Sequence, residues 1–119
     1  MLNQFSRTEL LFGNGDYTMA QEIDICEYLS RRKETDILID MRDEWLYKTH
    51  TIPGAVNIPL NDIRKLYALP EDRDIYVFCQ SGENSIEYAE LLEDAGYRAW
   101  SLSGGYRAYL RKKIEENHT

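Results

Sequence analysis

The sequence predicts an α/β fold, a mostly parallel sheet with helices on both faces. Three observations point to it. Short apolar runs rich in β-branched and aromatic residues, Ile37-Leu38-Ile39 and Ile75-Tyr76-Val77-Phe78, read as strands covered on both faces. Segments with helical spacing of apolar residues alternate with such runs, which calls for βαβ units joined by right-handed crossovers. A chain of 119 residues suits one domain and can bury a core without a disulfide or a metal.

The elements follow in order. Residues 1–16 read as an extension or arm, because Gly13-Asn14-Gly15-Asp16 is a turn or linker; the domain is expected over residues 17–119. Tyr17 to Ile23 is a short first strand. Asp24 with Glu27 resembles a capping box, and a helix is expected through Ile25, Cys26, Tyr28 and Leu29 to Lys33. The strand at 37–39 ends at Asp40. Residues 43–50 contain a helical turn. Ile52-Pro53-Gly54-Ala55 turns into a strand, Val56-Asn57-Ile58, where Pro59 stops the pairing. A helix near 61–67 and a turn at 69–72 lead to the strand at 75–78. After the loop at 79–84 a helix sets Tyr88, Leu91, Leu92 and Ala95 on one face, with Gly96 at its C′ position. Trp100-Ser101-Leu102 is the last strand, Gly104-Gly105 a turn, and 106–116 the final helix.

Composition excludes several function classes. Hydrophobic residues at 43% and charged residues at 29% are ordinary for a water-soluble domain. A formal net charge of -7 repels phosphate backbones, so no nucleic-acid partner is expected. The basic runs Arg31-Arg32-Lys33 and Arg111-Lys112-Lys113 read as solvated helix ends. No apolar run approaches the ~20 residues of a membrane span. The start lacks the layout of a signal peptide, so a cytoplasmic protein is expected and no membrane partner. Cys26 and Cys79 are expected as free thiols; no His/Cys cluster has metal spacing, and no cofactor is called for.

Cys79 carries the chemistry. It follows a buried strand, and a helix begins a few residues later, so it lies beyond the carboxyl end of the sheet, where open α/β proteins bind ligands. A helix N-terminus there stabilises an anion and lowers a thiol pKa. The same field suits a persulfide, which is also anionic. Gly82 allows the loop to turn N–H groups inward, and Ser81, Asn84 and Ser85 are short enough to donate to sulfur or cap the helix. The pattern is that of nucleophilic covalent catalysis. Cys26, between Ile25 and Leu29 on an early helix, reads instead as packing.

Cys79-Gln80-Ser81-Gly82-Glu83-Asn84-Ser85 resembles the active-site loop of rhodanese-like domains. Three further segments resemble the same family in order: Asp40-Met41-Arg42 with Tyr47 and Ile52 to Leu60; Leu91-Leu92 to Ala95-Gly96-Tyr97; and Leu102-Ser103-Gly104-Gly105-Tyr106 with Tyr109. The resemblance covers about residues 17–112. It implies a three-layer sandwich on a five-stranded, mostly parallel sheet, with Cys79 carrying a persulfide. Residues 80–85 then form the binding loop, with Asp40 orienting groups at the sheet end and Arg42 forming an ion pair beside the site. The implied activity is transfer of sulfane sulfur from thiosulfate or a persulfide donor to a thiol acceptor. The alternative is a weakly active interaction or sulfur-relay module. Many active members carry an Arg five residues after the Cys, where this chain has Asn84, and Glu83 adds a negative charge; both changes weaken attraction for thiosulfate. Phosphatases of the family need a longer loop and an Arg, and this loop has neither. His50 and Thr51 stand where the family commonly has Gly-His, so His50 does not match the family's usual histidine. Residues 3–13 resemble the opening of adenylating enzymes, including tRNA threonylcarbamoyladenosine dehydratases, which implies a docking arm and a sulfur-relay protein partner.

Overall fold

The computed structural model describes residues 21–117. The arm at 1–16, its resemblance to adenylating enzymes, and residues 17–20 of the expected first strand lie outside the described residues. Among the described residues ten elements alternate as predicted. Strand β1 is Glu22–Ile23, α1 Ile25–Arg31, β2 Ile37–Asp40, α2 Glu44–Thr49 and β3 Val56–Asn57. A 3-10 segment spans Leu60–Ala68, followed by β4 Asp74–Phe78, α3 Ser85–Asp94, β5 Arg98–Leu102 and α4 Gly105–Asn117. Among the described residues no helix is long and apolar enough to cross a membrane.

The five strands form one sheet in the order β1-β5-β4-β2-β3, and every pairing is parallel. Central β4 is buried along its whole length, which is why it reads as an unbroken apolar run. Alternate residues feed the two cores. Ile75 and Val77 pack with Ile39, Leu66, Tyr88 and Leu92, while Tyr76 and Phe78 pack with Tyr28, Trp100 and Tyr106. The result is the predicted three-layer arrangement. Tyr97 and Tyr106 are buried in these cores, so packing accounts for both.

Local chemistry sets the ends. The Asp24 carboxylate accepts the Glu27 N–H at 2.8 Å and starts α1. Helix α1 ends at Arg31, whose guanidinium lies 4.2 Å from the Trp100 ring centre. Helix α3 stops in a Schellman turn: the Gly96 N–H reaches the Glu93 carbonyl and the Tyr97 N–H the Leu92 carbonyl, both at 3.0 Å.

Four expectations are corrected. The segment at 60–68 is 3-10 rather than α, kinked at Asp62; of its side chains only Leu66 is fully buried, too little apolar surface to hold a longer α-helix against Asn61 and Asp62. The buried face of α3 is Ser85, Tyr88, Ala89 and Leu92, with Leu91 half-buried and Ala95 exposed. Ser85 is drawn onto the sheet by its hydroxyl, 2.7 Å from that of Ser101. Arg111-Lys112-Lys113 lies within α4 rather than at its end. Cys26 is exposed, so it is not a packing residue; Ile25 and Tyr28 take the buried face of α1 instead.

The carboxyl end of β2 is a polar hub. Asp40 is fully buried and its carboxylate accepts from the Arg42 backbone N–H at 2.9 Å, from Arg42 Nη2 at 2.8 Å and from the Thr51 hydroxyl at 2.8 Å. The Asp40 carbonyl accepts from Asn57 Nδ2 at 2.8 Å, tying β3 to the same point. The Asp40–Arg42 pair is therefore buried and hydrogen-bonded on every side, the condition under which losing one partner is severe.

Asp40→Asn is expected to lose about 3–5 kcal/mol of stability in urea denaturation, because it strands the Arg42 charge; Arg42→Met in the same background is expected to recover part of that loss. At Gly105, φ is +58° and an added Cβ would sit 2.4 Å from the Cys79 carbonyl oxygen. Gly105→Ala is expected to cost on the order of 2 kcal/mol or more. Gly54→Ala is the control: φ is +91° but nothing lies within 4 Å of the added carbon, and about 1 kcal/mol is expected. Thermal unfolding of the two variants side by side checks the difference.

Candidate functional site

Register places the site. Asp40 pairs with Phe78, and the Met41 N–H donates to the Phe78 carbonyl at 3.0 Å, so Cys79 and Arg42 emerge together at the carboxyl edge of the sheet. The chain then makes the tight loop 79–84 into α3. The carbonyls of Cys79 and Gln80 point away from the loop's interior. They accept the N–H groups of Tyr106 at 2.8 Å and Arg107 at 3.1 Å, two of the donors left unpaired at the start of α4. With its first carbonyls held outward, the loop turns N–H groups toward the thiol. The Gly82 N–H donates to Cys79 Sγ at 3.0 Å. Gly82 has φ +96°, and a Cβ there would lie 2.7 Å from the Gly104 nitrogen, so both conformation and space require glycine.

The thiol is 5% exposed. Its Sγ–H donates to Ser85 Oγ at an Sγ–Oγ distance of 3.5 Å, and Ser85 in turn pairs with the Ser101 hydroxyl. Burial pushes the Cys79 thiol up. The Ser85 hydroxyl and the backbone N–H groups of Ser85, Gly82 and Ser81 act in the opposite direction and together prevail, so its pKa lies below the ordinary value. When the thiol ionises, the Ser85 hydroxyl can turn to donate to sulfur, with Ser101 supplying the next donor.

The loop residues expected at the site divide by what they touch. Gln80 accepts from Arg42 Nη1 at 3.3 Å and links the loop to the Asp40–Arg42 pair. Ser81 contributes its backbone N–H, Gly82 its N–H and its fold, and Ser85 both its hydroxyl and its N–H. Asn84 precedes α3 in helical conformation and makes no side-chain cap, contrary to the capping reading: its φ of -79° and ψ of -25° are not those of a capping residue. Glu83 is exposed. The Arg42 guanidinium stacks 4.1 Å from the Tyr106 ring centre and also donates to the His50 carbonyl. His50 thus contributes its backbone to the network, and its side chain is exposed.

Three contributors escaped the sequence reading. Ser101 had a signal, a hydroxyl residue inside a buried strand. Thr51 caps Asp40, and Tyr106 both holds the Cys79 carbonyl and carries Arg42 on its ring; only the folded chain brings these together. Above the thiol is a pocket of about 390 Å³, lined by Cys79, Arg42, Asp43, Asn84 and Glu87 with Met41, Leu46, Leu60 and Tyr88. Among the described residues no group of three His, Cys, Asp or Glu side chains is placed to hold a metal ion.

Comparison with known proteins gives the same picture. Residues 26–112 match the model of the rhodanese-like domain. A sulfurtransferase of Allochromatium vinosum is 35% identical over 98 residues, covering 78% of this chain and 91% of the relative. A tRNA sulfurtransferase of Desulfurococcus amylolyticus is 37% identical over 79 residues, covering 64% of this chain but only 16% of that much longer protein. The crystal structure of a rhodanese-related protein from Thermoplasma volcanium superimposes with a TM-score of 0.71 at 22% identity, over 77% of this chain and 92% of that one. With its parallel five-stranded sheet, its cysteine loop at the sheet's carboxyl edge and its match over residues 26–112, the chain belongs to the rhodanese-like domain family.

Proposed function

We propose that this protein is a sulfurtransferase of the rhodanese type, with Cys79 as the residue that carries sulfur. One observation bears most of the weight: a nearly buried thiol whose pKa is lowered by inward N–H groups and a serine hydroxyl. A buried thiol kept only for packing is inert, with its pKa raised; the donors around Cys79 do the reverse.

The chemistry follows from the geometry. The Cys79 thiolate attacks the outer, sulfane sulfur of a donor. A new S–S bond forms to Cys79, the donor's S–S bond breaks, and its electron pair leaves with sulfite or with a thiolate. Cys79–S–S⁻ then occupies the loop. The N–H groups of Gly82, Ser81 and Ser85 are available to the persulfide as they are to the thiolate. An acceptor thiolate attacks the terminal sulfur, the Cys79–S bond to it breaks, and the Cys79 thiolate returns. Asp40, Arg42 and Gln80 hold the loop and the neighbouring strand end in register, and are positioning residues. A protein partner in a sulfur relay fits this role, and so does a cytoplasmic location, where thiols stay reduced.

Cys79→Ala is expected to abolish both persulfide formation, read by intact mass, and sulfur transfer to cyanide or a thiol. Persisting transfer would defeat the assignment. The pH dependence has a definite sign: activity requires the thiolate, so the rate of persulfide loading rises as pH passes upward through a thiol pKa lower than ordinary. Ser85→Ala removes a donor to the sulfur and is expected to move that rise to higher pH and to slow loading by about tenfold at neutral pH, the size of one lost hydrogen bond to a charged group. An unshifted profile would show that Ser85 does not tune the thiol.

A further inference from the structure

We infer that the pocket over Cys79 selects against dianionic donors such as thiosulfate and takes its sulfur from the persulfide of an organic thiol with an uncharged body. This rests on the sulfurtransferase reading and concerns its donor. The pocket that Cys79 lines also has two carboxylates in its wall, Asp43 and Glu87. Neither makes an ion pair among the described residues. The one cation lining the pocket is Arg42, and its charge is already spent on Asp40 at 2.8 Å. Asn84 stands at the pocket wall with no charge to offer. Glu83, the acidic residue visible in the loop, does not line the pocket; the repulsion comes from α3 and from the residue that precedes α2.

Charge balance in the transfer step makes the consequence plain. When the Cys79 thiolate attacks thiosulfate, three negative charges converge on one loop and sulfite leaves as a dianion. With an organic persulfide, the thiolate attacks the outer sulfur, the donor's S–S bond breaks, and R–S⁻ leaves; one negative charge is present when the donor is R–S–SH and two when it is R–S–S⁻, fewer than with thiosulfate in either form. The N–H groups of the loop serve both donors alike, so Asp43 and Glu87 decide between them. Space favours the same donor. At Asp43 and Leu60 the pocket adjoins a second, open cavity of about 860 Å³. Its rim carries two exposed apolar side chains, Trp45 (67% exposed) and Leu60 (66%). The organic body of a persulfide donor can lie against Trp45 and Leu60, in a wall otherwise mostly polar, while its outer sulfur reaches Cys79; thiosulfate has no such body.

The test measures the rate at which Cys79 acquires sulfur, by intact mass, from thiosulfate and from the persulfide of N-acetylcysteamine, whose body is uncharged. In the wild type, loading from the persulfide is expected to be the faster. Loading from thiosulfate is expected to accelerate several-fold between roughly 20 and 500 mM salt, because like-charge repulsion is screened. Glu87→Gln, and Asp43→Asn with it, are expected to shift the ratio of the two rates toward thiosulfate by about threefold to tenfold. Thiosulfate loading that falls with salt, or a ratio unmoved in the double variant, overturns the inference and leaves the sulfurtransferase reading intact. Failure of both donors to load the wild type overturns the two together.

Discussion

The site depends on the direction in which two peptide groups point. The carbonyls of Cys79 and Gln80 are drawn outward by the first N–H groups of α4. A helix start always leaves such donors seeking partners, and here the cysteine loop supplies the acceptors. Because those carbonyls are committed, the next peptide groups can present N–H to the interior, where the sulfur lies. The contact is close enough that Gly82, Gly104 and Gly105 meet backbone to backbone, and a Cβ at Gly82 or Gly105 would collide. The closing helix is therefore part of the anion cradle, though none of its side chains reaches the sulfur through a described hydrogen bond.

Two opposing effects act on Cys79, and the role proposed for it rests on their balance. Burial alone would keep the thiol protonated and inert. The Ser85 hydroxyl and several N–H groups stabilise the anion by more, so that the sulfur is both shielded from water and more easily ionised than an ordinary thiol. In the proposed transfer, burial also keeps water from the sulfur. The buried Asp40–Arg42 pair plays a different part. It lies beside the loop, bonded to Gln80, Thr51 and the His50 carbonyl, and stacked on Tyr106. It joins the ends of β2 and β4 to the 50–52 segment and to α4. With its charge compensated by Asp40, Arg42 braces the site and leaves the pocket's electrostatics to its neighbours.

Most of the fold was legible in the sequence because its signals are local. The run at 75–78 read as a buried strand, Asp24 with Glu27 marked a helix start, and Gly96 marked a helix end; all three stand in the structure. The misreadings share a cause. Residues 60–68 have a helical apolar rhythm, but how they wind was decided by what the sheet left for them to cover. Cys26 and Ile25 are neighbours of similar apolar character, and only the docking of α1 shows that Ile25 is inside and Cys26 outside. The face of α3 rotated because Ser85, a polar residue, is pulled inward by a partner 16 residues away.

The sequence by itself determined that Cys79 ends a buried strand, opens a glycine-containing loop and precedes a helix, and that Asp40 ends an earlier strand. These follow from residue order, since a strand's end and a helix's start are properties of adjacent residues. Tertiary structure alone decided which groups surround the sulfur and its pocket: Ser101 behind Ser85, Tyr106 under Arg42, and Asp43 and Glu87 at the mouth. Those residues come from separate elements, and their meeting depends on strand order and register, through which a parallel sheet brings together side chains far apart along the chain.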